Sequence, residues 1–119
     1  MPGYKNEIQI IGNVSILPKL NYTNAGDKVV NFSMASNHYW VSNGEKKEEA
    51  TYHFVTCWGR LVDLTENLLL GQYIMIEGRI KNSPYEKQCS CGITNKFAKI
   101  EVIANNIIFL SNKGELIND

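Results

Sequence analysis

The order of the hydrophobic patterns along the 119 residues is the feature that most constrains the fold. Three segments alternate apolar and polar residues as half-buried strands do, a fourth has helical spacing, and two further alternating segments follow. The order is therefore three strands, one helix and two strands. The strands are predicted at Tyr4 to Leu17, Lys28 to Val41, Glu48 to Trp58, Gln72 to Asn82 and Phe97 to Leu110, and the helix lies between Gly59 and Gly71.

Turn-forming residues mark the ends of several segments. The pair Gly12-Asn13 suits a bulge that bends the first strand, and Pro18 is expected to end that strand. The turn Ser42-Asn43-Gly44-Glu45 contains the Asn-Gly dipeptide that favours positive φ. It should therefore fold the second and third strands into a hairpin.

Apolar spacing indicates which faces point inward. The helix shows leucines at helical intervals, widened by Val62 and Leu69, and Gly71 stands where a C-cap glycine belongs. After the fourth strand, a polar loop is expected from Ser83 to about Asn95. The inward sets are Val30, Phe32 and Met34 in the second strand, Leu61, Leu64 and Leu68 in the helix, and Ile74, Ile76 and Ile80 in the fourth strand.

An all-β OB-fold, a five-stranded Greek-key barrel with one helix between the third and fourth strands, has this order of elements. A sandwich or a helix-capped meander would have the same order, so strand length matters. At about 3.3 Å per residue, the segment from Lys28 to Val41 would extend roughly 46 Å, more than twice a typical strand. Its distal half is expected to project beyond the barrel as a free hairpin.

Charge and composition exclude several classes of protein. Lys and Arg number 12, as do Asp and Glu, so the chain lacks the basic excess of most nucleic-acid binders. No apolar run reaches the roughly 18 residues of a membrane span, and no signal peptide is evident. The three cysteines are an odd number, which fits a reducing compartment. The sequence predicts a soluble, intracellular protein of one domain.

Aromatic residues share one parity of the third strand. Tyr52, Phe54 and Trp58 alternate with Val55 and Cys57, so three rings lie on one face. The spacing leaves open whether this face is the barrel interior or a ligand surface, because either set of side chains could fill a core.

Two neighbouring rings in the projecting hairpin favour a surface role. Tyr39 and Trp40 are adjacent and point to opposite sides, so at least one should be exposed. Exposed rings interleaved with cations are what stacking on unpaired bases requires, and each stacked base contributes about 1 to 3 kcal/mol. The candidate phosphate-binding residues are Lys46, Lys47, Arg60, Arg79 and Lys81.

Four stretches of the chain carry a resemblance to a known family. They are "IGN" (11–13), "VVNFSMAS" (29–36), "GEKKEEATYHFVTCWGRL" (44–61) and "GQYIMIEGRI" (71–80). In these stretches the chain resembles the bacterial and mitochondrial single-stranded DNA-binding proteins, which have an OB-fold. The resemblance implies non-catalytic, largely sequence-independent binding and protection of single-stranded DNA in replication, recombination or repair.

The resemblance also assigns roles to particular residues. It implies that four aromatic positions stack on DNA, here Trp40, Tyr52, Trp58 and Tyr85. Tyr39, Phe54 and Phe97 are secondary aromatic candidates, and Lys96 and Lys99 are further cation candidates. The resemblance implies a homotetramer, with a dimer as the alternative, and subunit contacts at or near Ile8, Ile10 and His53.

The expected domain covers residues 1–111, with a short tail at 112–119. Related bacterial proteins usually add a flexible linker and an acidic tip that recruits other proteins, and neither follows here. A truncated form, a mitochondrial-like form or a minimal phage or mobile-element protein would fit, and we favour the last. The resemblance places it in the cytoplasm or nucleoid of a bacterial cell, with single-stranded DNA and copies of itself as partners and no tail for recruiting others.

Two other classes of function compete with this reading. One is an OB-fold protein-interaction module of a primosome-type complex, and the other is a cold-shock type RNA-binding domain, which is shorter. No catalytic motif or phosphate loop is present, so an enzyme and a cofactor are not expected. Cys89 and Cys91 could be half of a zinc site, but four ligands are normally needed, so no metal is predicted.

Overall fold

The computed structural model describes residues 3–88, 92 and 94–110, without the side chains of residues 84–88 and 94–98. Within these ranges five strands form a closed barrel in the order β1-β2-β3-β5-β4, and one short helix lies between β3 and β4. The predicted OB-fold architecture is confirmed, while the expected tail at 112–119 lies outside the described residues. The elements are β1 (Ile8–Tyr22), β2 (Lys28–Ser42), β3 (Glu45–Trp58), α1 (Leu61–Thr65), β4 (Tyr73–Gln88) and β5 (Thr94–Phe109).

Strand β1 closes the barrel by changing partners halfway along its length. Its first residues pair with β4, and from Asn13 onward it pairs with β2. Where the partners change, a Cβ on Gly12 would lie 2.1 Å from the carbonyl oxygen of Ala35, so only glycine fits there.

Two expectations for β1 were wrong. The register shifts fall between Val14 and Ile16 and between Ile16 and Lys19, not at Gly12-Asn13. Pro18 does not end the strand, because it lies within the second irregularity, where the ladder requires no N–H from it.

Strands β2 and β3 form the predicted hairpin. Its turn uses positive φ at Asn43 (52°) and Gly44 (78°), and the pairing runs without a register shift from Ser42 opposite Glu45 to Val29 opposite Trp58. Every residue from 37 to 52 is exposed, so the distal half projects from the barrel as expected. We call this projecting part, residues 37–52, the arm.

Helix α1 is shorter than predicted, and its buried face differs from the expected one. The helix ends at Thr65, and the inward residues are Val62, Thr65 and Leu68. Leu64 is exposed because it lies off the helix face that buries Val62 and Thr65, and Leu69 is exposed beyond the end of the helix. Gly71 is not the helix cap, since it lies six residues beyond Thr65, where its N–H donates to the carbonyl of Val14.

Strands β4 and β5 continue well beyond the barrel. The segment from Ser83 to Asn95, expected to be a polar loop, instead carries a hairpin whose backbone pairing extends to Gln88 opposite Thr94. Polar sequence does not prevent pairing, because the ladder joins backbone groups and not side chains. Ile80 is 40% exposed although it has the inward parity, because β4 leaves the barrel there.

The barrel core is built from the inward parity of the strands. Val30, Phe32 and Met34 are buried as predicted, and so are Ile74 and Ile76. Burying each such side chain contributes about 1.5 to 3 kcal/mol. Val62 of α1 and Leu68, which follows the helix, join this cluster.

Candidate nucleic-acid interface

The side of β3 that carries the aromatic residues faces outward. Tyr52, Phe54 and Trp58 are 63%, 45% and 43% exposed, whereas Val55 and Cys57 are buried in the core. Because successive residues of a strand point to opposite sides, this contrast settles the question that the spacing left open. The rings lie on the outside of the barrel and the aliphatic set fills it.

The cross-strand register places one of the two arm rings on the same face. Ala35 is paired with Tyr52, and Tyr39, four residues further along β2, has the same parity. Tyr39 therefore extends the row of Tyr52, Phe54 and Trp58. We call the side of the β2–β3 hairpin that carries these four rings the aromatic face.

Trp40 lies on the opposite side of the arm. It is paired with Lys47, and its ring stacks on His38 with 5.5 Å between ring centroids and 24° between planes. We call this side the back face. The structure therefore does not bring Trp40 onto one face with Tyr52 and Trp58, although the resemblance groups all three.

The predicted cations are all exposed where their side chains are described. Lys46 lies near the arm's tip on the parity of Tyr39, Arg60 follows Trp58, and Arg79 lies on β4. Lys47 is on the back face and forms an ion pair with Glu45 at 3.1 Å. The side chains of Tyr85, Lys96 and Phe97 lie outside the described part of the chain.

Lys99 contacts the aromatic face directly. Its Nζ lies 4.6 Å from the centroid of the Phe54 ring, a cation–π distance. An ammonium held against an exposed ring provides a positive charge beside a surface on which a base could stack. Lys99 therefore connects the rings of β3 with the cations of β4 and β5.

A chain of polar side chains crosses the barrel wall beside these rings. Thr56 Oγ1 lies 2.7 Å from Glu101 Oε2 and 2.9 Å from Asn31 Oδ1, and the hydroxyl of Ser83 donates to Glu101 Oε1. The Thr56 hydroxyl has one proton, which is assigned to the shorter hydrogen bond, the one to the Glu101 carboxylate. The Asn31 amide is therefore assigned the orientation in which its NH₂ group donates to Thr56 Oγ1. Sequence reasoning missed Glu101, although it is the one acidic residue in an apolar stretch of β5.

The surroundings of Glu101 favour its ionised form. Partial burial by itself raises the pKa of this carboxyl, but hydrogen bonds from Ser83 and Thr56 and the charges of Lys99 and Lys81 outweigh it. The net result is a pKa below the ordinary value. A carboxylate is therefore present at neutral pH beside the aromatic face.

The three residues expected at a subunit contact do not all lie at the surface. Ile8 and His53 line a groove of about 500 Å³ together with Ile80 and Ile100, and the groove also includes Tyr52 and Phe54 of the aromatic face and Lys99, whereas Ile10 is buried in the core. His53 Nε2 lies 2.9 Å from Ser36 Oγ, and burial lowers the pKa of the imidazole. His53 is thus a neutral, hydrogen-bonded residue beside an apolar groove.

The described residues contain no group of three or more His, Cys, Asp or Glu side chains that could hold a metal ion. Burial raises the pKa of the Cys57 thiol to about 12, so it remains protonated in the core. Cys89 and Cys91 lie outside the described residues. In the part of the chain that the structure covers, no helix combines the length and apolar character that a membrane crossing needs.

The sequence matches the model of the single-strand binding protein family over residues 5–110. The chain belongs to this family. A single-stranded DNA-binding protein of Deinococcus radiodurans is 37% identical to this family member over 83 residues, which is 69% of this chain. One from Aquifex aeolicus is 32% identical over 104 residues, or 86% of this chain.

A solved structure resembles this one in three dimensions. It is described as a Plasmodium falciparum SSB complex with ssDNA, and it superposes with a TM-score of 0.70 at 26% identity. The match covers 93% of this chain and 99% of that one. Against the two bacterial relatives, the chain spans 28% of the Deinococcus protein and 67% of the Aquifex protein.

Proposed function

We propose that this chain binds single-stranded DNA, without catalysing a reaction, along the aromatic face and the adjoining barrel wall. The four exposed rings that share one side of the hairpin carry this proposal. From Trp58 to Glu48, which is paired with Tyr39, β3 advances ten residues. At about 3.3 Å per residue the row is roughly 33 Å long, enough for several nucleotides.

Stacking suits a protein whose net charge is zero. Each stacked base contributes about 1 to 3 kcal/mol and needs no particular base sequence, because every base has a π face. Cations lie along the same row, with Lys46 near the tip, Lys99 over Phe54 and Arg60 beyond Trp58. They are placed to contact phosphates while the rings hold the bases.

Trp40 lies on the back face of the arm, away from the aromatic face. Together with Lys47 it offers a ring and a cation on the back face, so DNA that reaches it must first pass around the arm. We propose Tyr39 as the ring of the arm that continues the aromatic face, whereas the stacking role that the resemblance implies for Trp40 stays a prediction. Tyr85 and Lys96 remain predictions for the hairpin of β4 and β5.

A titration of tryptophan fluorescence tests the proposal. Oligo-dT should quench the emission of the exposed Trp58, whereas duplex DNA of equal length should bind far more weakly. Oligo-rU in a parallel titration measures the preference for DNA over RNA. If no single strand binds, the proposal fails and the protein-interaction alternative is favoured.

A pair of matched variants identifies the surface involved. Tyr52→Leu removes a ring from the aromatic face, and Tyr73→Leu removes an exposed ring from β4, on the far wall of the barrel. We expect the first to weaken oligo-dT binding and the second to leave it unchanged. Equal effects of the two substitutions would contradict the assignment of the aromatic face.

We also propose that the protein assembles into a homotetramer that acts in replication, recombination or repair. Two features support self-association. Within the described residues, the start of β1, from Ile8 to Gly12, pairs only with β4, so one of its edges is open to another strand. The apolar groove beside His53 lies next to that edge. A bacterial cytoplasmic or nucleoid setting, and a phage or mobile-element origin, stay predictions.

A further inference from the structure

A carboxylate lies within the surface proposed to bind DNA. Thr56 stands between Phe54 and Trp58 on β3, and its hydroxyl lies 2.7 Å from Glu101 Oε2. A phosphate in direct contact with this carboxylate would be repelled by its negative charge, whereas the neighbouring Lys99 and Lys81 attract the phosphates on either side. The part of the strand that passes over Glu101 is therefore expected to turn a base toward the protein and its backbone away.

The same carboxylate contributes to a groove that is open beside the rings. The groove has a volume of about 230 Å³, and its lining includes Phe54, Asn31, Thr56, Lys99 and Glu101. Most of its surface is apolar, with Ile16, Leu17 and Phe54 in its walls, and Asn31, Thr56, Glu101 and Lys99 supply its few hydrogen-bonding groups. We call this groove the edge pocket.

We propose that the edge pocket takes one nucleobase and that Glu101 selects bases bearing an exocyclic amine, favouring cytosine over uracil or thymine. This inference rests on the proposed function and adds a base preference to it. Each Glu101 oxygen accepts a hydrogen bond from one hydroxyl and keeps a second acceptor position. The N4 amine of cytosine donates to such a carboxylate, whereas O4 of uracil or thymine is an acceptor that the carboxylate repels.

The hydroxyls of Thr56 and Ser83 hold the carboxylate in place from two neighbouring strands, one on each oxygen. Lys81, directly opposite Glu101 on β4, and Lys99 keep it ionised and available as an acceptor only. A fixed, ionised acceptor discriminates between base edges better than a mobile one, because it cannot rotate to avoid an opposing carbonyl.

Competition between oligo-dC and oligo-dU of equal length tests the proposal at mildly alkaline pH. These two pyrimidines have the same ring size and backbone and lack the thymine methyl, so they differ only along the base edge. We expect oligo-dC to bind about three to ten times more tightly for the unmodified protein. Oligo-dT, measured alongside, reports binding of single strands in general.

Glu101→Gln should remove the preference, because a glutamine amide can donate to O4 of uracil as well as accept from cytosine. Glu77→Gln is the matched control. Glu77 is also hydrogen-bonded, by Gln9 and Asn106, but lies outside the edge pocket. The control should keep the preference of the unmodified protein.

Equal binding of the two oligonucleotides by the unmodified protein would overturn the base preference while leaving the proposed function intact. So would a preference that survives in Glu101→Gln, since Glu101 would then only join the strands. Failure to bind any oligonucleotide would refute both. If Glu101→Gln does not fold, Ser83→Ala keeps the carboxylate and removes one hydroxyl that orients it, and it should lower the preference several-fold. An unchanged preference in Ser83→Ala would then overturn the inference.

Discussion

Trp58 is the ring that stands at the barrel end of the aromatic face. It is paired with Val29, and Arg60 lies two residues further along the chain, so a base stacked on it would have a phosphate-binding cation nearby. Replacing this ring with alanine removes exposed surface and leaves the core intact. We expect Trp58→Ala to weaken oligo-dT binding by about 1 to 3 kcal/mol.

Fluorescence anisotropy of a labelled oligonucleotide measures the effect of Trp58→Ala, and circular dichroism confirms that the variant is folded. Tyr73→Leu is again a suitable control on the far wall. A folded Trp58→Ala protein that binds as tightly as the unmodified chain would remove Trp58 from the proposed interface.

His53 should make stability depend on mildly acidic pH. Burial lowers the pKa of its imidazole below the ordinary 6.5, so the unfolded chain takes up the proton more readily than the folded one. The stability that this provides is present above pH 6.5 and is lost as the pH falls below 6.5 through the folded pKa. We therefore expect the free energy of unfolding to fall in that range.

Urea unfolding followed from about pH 7.5 to about pH 5 tests the role of His53. His53→Gln should lose much of the dependence, whereas His38→Gln, which changes the exposed histidine of the arm, should keep it. A curve for His53→Gln that parallels the unmodified protein would show that other groups cause the loss of stability.

At the scale of elements, the arm has two functional sides because strand alternation sends adjacent residues apart. Tyr39 continues the aromatic face, and Trp40 lies on the back face against His38. A DNA strand that lies on one side of the arm can contact only one of these two rings. Oligonucleotide length should therefore separate their contributions.

We expect Tyr39→Ala to weaken the binding of both short and long oligo-dT, and Trp40→Ala to weaken only long oligo-dT that passes around the arm. Titrating a length series with each variant gives the comparison. Equal losses for the shortest oligonucleotide would mean that one strand contacts both rings, which would require the arm to twist between them.

At the scale of the whole molecule, equal numbers of acidic and basic residues limit the electrostatic share of binding. Few phosphates can be neutralised per subunit, and each contributes roughly 0.7 to the slope of log K against log salt for single strands. We expect a shallow slope, measured by oligo-dT titration over a range of NaCl concentrations. A slope as steep as that of a strongly basic protein would show that lysines dominate over rings.

The assembly is tested by light scattering at micromolar concentration. Pairing through β1 and the groove beside His53 should give a dimer, and a second interface a tetramer of four chains. Four copies would raise the effective concentration of stacking surface for a strand that bridges them. A mass of one subunit would reject both contacts, and a stable dimer would reject only the second.

Local patterns in the sequence were sufficient for the element order, the Asn43-Gly44 turn and the parity of β3, because turn geometry and side-chain alternation depend on neighbouring residues. They also identified Tyr52 and Trp58 as members of one face. They did not decide which side of β3 was interior. That depended on how the barrel closes, which buries the side carrying Val55 and leaves the rings outside.

Contacts between distant segments decided the rest. Pro18 remains in β1 because a bulge accommodates it, and Ile80 is exposed because β4 leaves the barrel, neither of which local spacing can reveal. Glu101 meets Thr56 and Ser83 only after three strands come together. Alternation alone places Tyr39 and Trp40 on opposite sides, but only the pairing of β2 with β3 puts Tyr39 on the side of Tyr52 and Trp58. The candidate site is therefore determined by the tertiary structure and not by the sequence pattern alone.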